Sequence, residues 1–249
     1  MVWVLFLVVL LSSCAQPEPQ ISVKSPLEER YGYQLNVVKG YIVAGDFNRA
    51  RIEAVKLLKI KRTPEAYNLL GLAYMGLGEM EEAERAFRMA VKLDDGYSTA
   101  WTNLSACYLK KGRYEEALRA ASMALANPMY MNPEKAYLNM AEAYFGMGKD
   151  EEALRALEKA IRYNVGFAPA YERLLKYYVE RGEIGEAKNV LYDAEAAGVD
   201  SPGVNFYKAL ILIREGKVLE AKAILKGILR DYPLTTWAKR ALEYLESIE

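Results

Sequence analysis

The sequence has no histidine, and only two of its 249 residues are cysteine, Cys14 and Cys107. Without histidine there is no Ser-His-Asp or Cys-His catalysis and no imidazole metal ligand. Two cysteines cannot build a cysteine-rich zinc site or a disulfide framework. An excess of one charge is also missing, because 33 Lys plus Arg balance 33 Asp plus Glu. That balance leaves no basic footprint for nucleic acid and no field to steer a charged ligand. Gly-rich phosphate loops and CxxC pairs are absent. The adjacent carboxylates Glu81-Glu82 and Asp94-Asp95 do not face each other on a helix and read as solvated. Cys107 reads as a small buried hydrophobe. The chain is therefore expected to be no enzyme, with no catalytic residue, metal, cofactor or small-molecule substrate.

What is present starts with an uncharged apolar run over residues 1–11; the first charged residue is Glu18. A membrane-spanning helix needs about 20 such residues, so this run is too short to span. It fits the apolar core of a signal peptide, although no Lys or Arg precedes it, and residues 1–13 are set apart from the folded body. Residues 14–30 contain Pro17, Pro19 and Pro26. Each proline lacks an amide donor, and the segment reads as an extended tether.

The remainder is periodic. Gly recurs at 45, 78, 112, 148, 182 and 216, and Ala at 50, 83, 117, 153, 187 and 221. This period predicts six copies, at 31–63, 64–97, 98–133, 134–167, 168–201 and 202–235. An amphipathic helix over 235–248, carrying Trp237, Ala238, Leu242 and Leu245, closes the array. Large residues at positions 4, 7 and 11 of each copy share one helical face. The recurrent Gly ends the first helix in a left-handed conformation. Small residues at positions 8 and 20 let paired helices approach, with Gly71 opposite Ala83 as the clearest case. The third copy is two residues longer, which predicts a loop at 127–132 with Pro133 in the first turn of the next helix. Many of the 19 tyrosines fall on packing positions, so they do not argue for base stacking.

The run Tyr67-x2-Leu70-Gly71-x2-Tyr74, then Gly78, Ala83, Phe87 and Ala90, resembles the tetratricopeptide repeat. The later copies, from Trp101 to Pro233, are similar to it. The resemblance implies an all-α, right-handed superhelical solenoid of six helix–turn–helix repeats plus a C-terminal capping helix. It implies a protein-binding scaffold whose concave groove is reached from positions 2, 5, 9, 12 and 13. Here those positions include Lys39, Ile42, Asn68, Leu72, Met75, Leu109, Leu138, Phe145, Val179, Phe206, Leu210 and Ile213. This lining is expected to be mostly apolar, suited to an amphipathic helix or an apolar extended segment. It lacks the Lys, Arg and Asn clamp of family members that hold acidic peptide C-termini.

Leu11-Ser12-Ser13-Cys14 resembles the lipobox of bacterial lipoproteins. That resemblance implies cleavage before Cys14, acylation of Cys14 and a stable membrane anchor. Ala15, in place of Asp, implies an outer-membrane protein facing the periplasm. The whole layout, together with the irregular junction from Ala126 to Tyr137, resembles the pilotin lipoproteins of type IV pilus biogenesis. Those bind an outer-membrane secretin and promote its localisation and assembly. A generic periplasmic adaptor lipoprotein, organising cell-wall enzymes or envelope assembly machinery, is the alternative.

Overall fold

The computed structural model describes residues 25–248. Cys14 and the segment before it lie outside the described residues. Among the described residues there are thirteen α-helices and no strand. They form six consecutive pairs: α1 (Pro26–Val43) with α2 (Phe47–Ile60), α3 (Pro64–Gly76) with α4 (Met80–Leu93), and α5 (Ser98–Lys110) with α6 (Tyr114–Leu125). The series continues with α7 (Pro133–Gly146) and α8 (Asp150–Tyr163), α9 (Ala168–Arg181) and α10 (Ile184–Ala196), then α11 (Pro202–Arg214) and α12 (Val218–Asp231). A single helix, α13 (Thr236–Ser247), ends the array.

The punctuation follows from the sequence. Gly45, Gly78, Gly112, Gly148, Gly182 and Gly216 all have φ between 70° and 79°, a region other residues enter only with strain. Each ends a first helix within a residue or two. Helix starts use side-chain caps at Ser25, Asp46, Thr63, Ser201 and Thr235, each accepting from an amide three residues on. Pro133 stands in the first turn of α7, after the 127–132 loop, as the spacing predicts.

One boundary differs. The expected tether, 14–30, is helical from Pro26. Ser25 and Glu28 form a reciprocal cap: the Ser25 amide donates to the Glu28 carboxylate at 2.9 Å, and the Glu28 amide donates to Ser25 Oγ at 3.3 Å. Satisfying both orphan amides stabilises the helix start, and the Ser-Pro-Leu-Glu motif was legible in the sequence.

Helices pack on their chain neighbours throughout. First helices also pack on the next first helix: α1 on α3, α3 on α5, α5 on α7, α9 on α11, and α11 on α13. The α7–α9 pair lacks such close backbone packing. Buried alanines such as Ala50, Ala83, Ala117, Ala153, Ala187 and Ala221 bring the partners together. Gly71 works differently from expectation. The space beside it is filled by the Phe87 ring rather than by Ala83, and a Cβ at 71 would overlap that ring. The same fit recurs where Phe47 lies on Gly76 and Tyr114 on Gly146. Phe47 and Tyr114 each begin a second helix, and each meets a glycine near the end of the next first helix. Both pairs couple a large ring to an absent side chain across a repeat boundary.

Candidate partner-binding surfaces

The first helices carry the residues expected to line the groove. Lys39 is exposed and pairs with Glu65 at 2.7 Å. Ile42, Leu72, Met75, Leu109, Leu138, Phe145 and Ile213 are half-buried, wedged against the core. Asn68, Val179, Phe206 and Leu210 are buried, so these four offer no surface to a partner. Phe206 is covered by the final helix: Trp237 and Tyr244 lie at ring-centre distances of 5.5 and 5.3 Å, and the Arg240 guanidinium at 4.5 Å. The closing helix thus occupies the end of the groove, which is why its apolar positions there are not free.

The lining is also more polar than expected. Asn103 Nδ2 donates to Asn68 Oδ1 at 2.8 Å, and Asn139 Nδ2 donates to the Thr102 carbonyl at 2.9 Å. Arg173 Nε donates to Glu142 at 2.7 Å, and its guanidinium lies 3.9 Å from the Phe145 ring centre. Asp150 accepts from the Tyr177 hydroxyl at 3.2 Å and pairs with Arg181 at 3.0 Å. Asn103, Asn139 and Arg173 all occupy position 6 of their copies, which the sequence reading did not include. Their shared position was the available signal. They form a ladder of polar contacts between successive repeats over half-buried apolar side chains.

A second surface lies between the second helices. Helices α4 and α5 line a cleft of about 580 Å³ whose floor is Trp101, Leu104 and Tyr108 of α5. The cleft continues on the α6 side, past Leu118 and Met123. These floor residues hold positions 4, 7 and 11, read from the sequence only as packing. Met89 and Met123 stand on its walls and are substantially exposed. Below one end, Glu84 is buried and accepts from Lys111 at 2.7 Å and Arg113 at 2.8 Å. Burial pushes the Glu84 carboxyl up, but the two cations outweigh it and hold it below the usual range. Cys107 is fully buried, and its thiol donates to the Met80 carbonyl at 3.4 Å. Burial pushes that thiol up to about 11, so it stays protonated at neutral pH, as suits a small core residue. Among the described residues, no group of three or more acidic or cysteine side chains could hold a metal ion. No described helix is long and apolar enough to cross a membrane.

Models of the tetratricopeptide repeat match residues 39–98 and 68–132, and a further one matches 134–164. The chain belongs to the tetratricopeptide repeat family. Its helix pairs, helix-ending glycines and closing helix are the all-α solenoid of that family. Tetratricopeptide proteins are in general protein-interaction scaffolds.

Curated relatives include the chloroplast tetratricopeptide protein PYG7 of Arabidopsis thaliana, 43% identical over 56 residues, which are 22% of this chain and 19% of that protein. The repeat protein YpiA of Bacillus subtilis is 25% identical over 165 residues, 66% of this chain and 38% of YpiA. The chain thus spans less than half the length of these relatives. Among solved structures, PilF of Pseudomonas aeruginosa is similar with a TM-score of 0.68 at 17% identity, covering 88% of this chain and all of PilF. PilW, described as a widely conserved type IV pilus biogenesis factor, gives 0.69 at 18%, covering 86% and 99%. A tetratricopeptide protein from Parabacteroides merdae gives 0.68 at 17%, covering 88% and 84%. At these identities the likeness is one of fold.

Proposed function

We propose that this tetratricopeptide protein is a lipid-anchored scaffold of the bacterial cell envelope that binds a protein partner. Its role on this reading is that of a pilotin, assisting secretin localisation and assembly at the outer membrane in type IV pilus biogenesis. The observation that carries the reading is layout. The solenoid is similar in fold to PilF and PilW over nearly their whole lengths. The Leu11-Ser12-Ser13-Cys14 sequence supports the anchor, with acylation on Cys14 and the intervening residues as a short tether. Anchoring raises the effective concentration of a membrane-bound partner without adding a contact. The groove face would contact the partner through its half-buried apolar residues, with Leu72, Met75, Leu109 and Phe145 as the available set.

The test compares outer-membrane fractions, run unheated, from strains with and without the gene. Loss of secretin multimers, restored by the wild-type gene but not by Cys14→Ser, is expected. Unchanged multimers in the correct membrane would remove the pilotin role. A second reading is an envelope adaptor for cell-wall enzymes or assembly machinery, because an equal likeness in fold to the Parabacteroides tetratricopeptide protein ties the solenoid to no one partner. Cross-linking from Phe145 to a hydrolase rather than to a secretin would favour it.

A further inference from the structure

The cleft between α4 and α6 differs from the groove face in its walls, where Met89 and Met123 are exposed, above a half-buried Trp101 and the buried Leu104 and Tyr108. Its floor is rigid. Trp101 Nε1 donates to the Asp95 carbonyl at 2.8 Å, which fixes the indole, and Tyr108 is held under the Arg113 guanidinium at 4.5 Å. Its walls are adaptable. Met89 is 38% exposed and Met123 45% exposed, and unbranched thioether side chains remould around an apolar ligand. A fixed aromatic floor with flexible methionine walls is the chemistry of a helix-binding groove. The floor from Trp101 to Tyr108 spans two turns of α5, about 10 Å.

Charge decides which helix fits. The one acidic residue lining the cleft, Glu116, is paired with Arg113 at 2.6 Å, and Glu84 below it is paired with Lys111 and Arg113. On the rim, Lys92 and Arg119 are exposed, line the cleft and make no ion pair or hydrogen bond. Arg88 reaches only the crowded Glu84, at 3.6 Å. Among the residues lining the cleft, the unpaired charge is therefore positive. The equivalent cleft between α8 and α10 shows that this is not a property of the repeat. Its floor is Tyr171, Leu174 and Tyr178, and its rim carries unpaired Glu158 and Asp193. Two clefts of the same architecture thus carry opposite free charge.

We propose that the α4–α6 cleft docks an amphipathic helix of a partner protein, one with an apolar stripe flanked by carboxylates. This site is separate from the groove face and does not depend on a secretin being the partner. The apolar stripe lies on Trp101 between the two methionines, and the flanking carboxylates meet Lys92 and Arg119.

The test uses the full-length protein and two labelled 14-residue helical peptides with the same leucine stripe. One carries Glu and the other Lys on both flanks; binding is read by fluorescence anisotropy. The Glu peptide is expected to bind at least tenfold more tightly than the Lys peptide. Met89→Glu with Met123→Glu should lower its affinity at least tenfold without moving the thermal midpoint, since both side chains are exposed. Lys92→Glu with Arg119→Glu should reverse the preference between the peptides. The proposal is overturned if the Glu peptide fails to bind, if both peptides bind alike, or if the methionine variants bind unchanged. It is also overturned if a photo-cross-linker at position 123 joins residues 1–24 of the same chain. A full-length dimer that Met123→Glu dissolves would overturn it too, because the occupant would then be a second copy.

Discussion

The solenoid up to α8 and the part from α9 onward use one repeat in two ways. From α1 to α7, each first helix packs directly on the next, and ring-on-glycine fits at Gly71, Gly76 and Gly146 bring helices close. From α9 to α13 the first helices again pack directly, now through Phe206, Tyr207 and Trp237. Between the two parts, α7 and α9 meet mainly through side chains: Glu142 with Arg173, Arg173 over Phe145, and the Phe145 ring on Tyr177 at 5.4 Å, while Asp150 at the start of α8 reaches Tyr177 and Arg181. Helix α8 still packs on α9, so the array is continuous. The lesson is that a repeat array divides where close packing between first helices gives way to contact mainly through side chains, here part polar and part aromatic. Because stability in such arrays is a sum over nearest neighbours, a single weak interface separates two cooperative blocks.

The largest effect should come from the second block. Phe206→Ala removes a fully buried ring beneath the closing helix and should cost about 3–5 kcal/mol. Urea unfolding should show the loss confined to the C-terminal part. In the first block, Gly71→Ala should cost about 1–3 kcal/mol, because a Cβ there would overlap the fully buried Phe87 ring. Adding Phe87→Leu should recover part of that loss in a double-mutant cycle. No recovery would mean that the ring is not what the glycine makes room for.

At the boundary, Arg173→Met keeps the length of the side chain but removes its charge. It should cost about 1–2 kcal/mol at low salt, by loss of a charge-assisted hydrogen bond and the contact with Phe145. The cost should shrink in 1 M salt, since Glu142 is partly exposed and screened. The smallest effect concerns Glu172, which accepts from Ser201 Oγ at 2.7 Å at the start of α11. Burial pushes this carboxyl up from its ordinary value, against the Ser201 and Gly203 hydrogen bonds. The folded state then holds the proton to higher pH than the unfolded chain. A stability penalty is absent below the ordinary carboxyl range and complete above the raised value. Glu172→Gln should flatten that part of the stability–pH curve.

The array itself was legible because its signals are local: a glycine that needs positive φ, an alanine at a close contact, and a period near 34. The start of α1 was also written locally, in Ser25 and Glu28, yet three nearby prolines suggested an extended chain. What escaped the sequence was pairing across repeats. Phe87 rather than Ala83 fills the space at Gly71, and this depends on which way one ring turns. Phe206 and Leu210 fall on groove positions, but the closing helix covers the first of them and the surrounding packing buries the second. Position 6 looked neutral until Asn103, Asn139 and Arg173 were seen reaching back to the preceding repeat. Exposed Met89 and Met123 share one repeat position, so the second-helix cleft had a faint periodic mark.

The most direct test of the division uses tryptophans already present on either side of it, Trp101 in α5 and Trp237 in α13. With Trp3→Phe as background, Trp237→Phe leaves a reporter for the first block and Trp101→Phe one for the second. Urea unfolding followed by fluorescence should give two midpoints, moving further apart when Arg173→Met is added. A single shared midpoint, unchanged in its coincidence by Arg173→Met, would contradict the account of two blocks joined at a loosely packed interface.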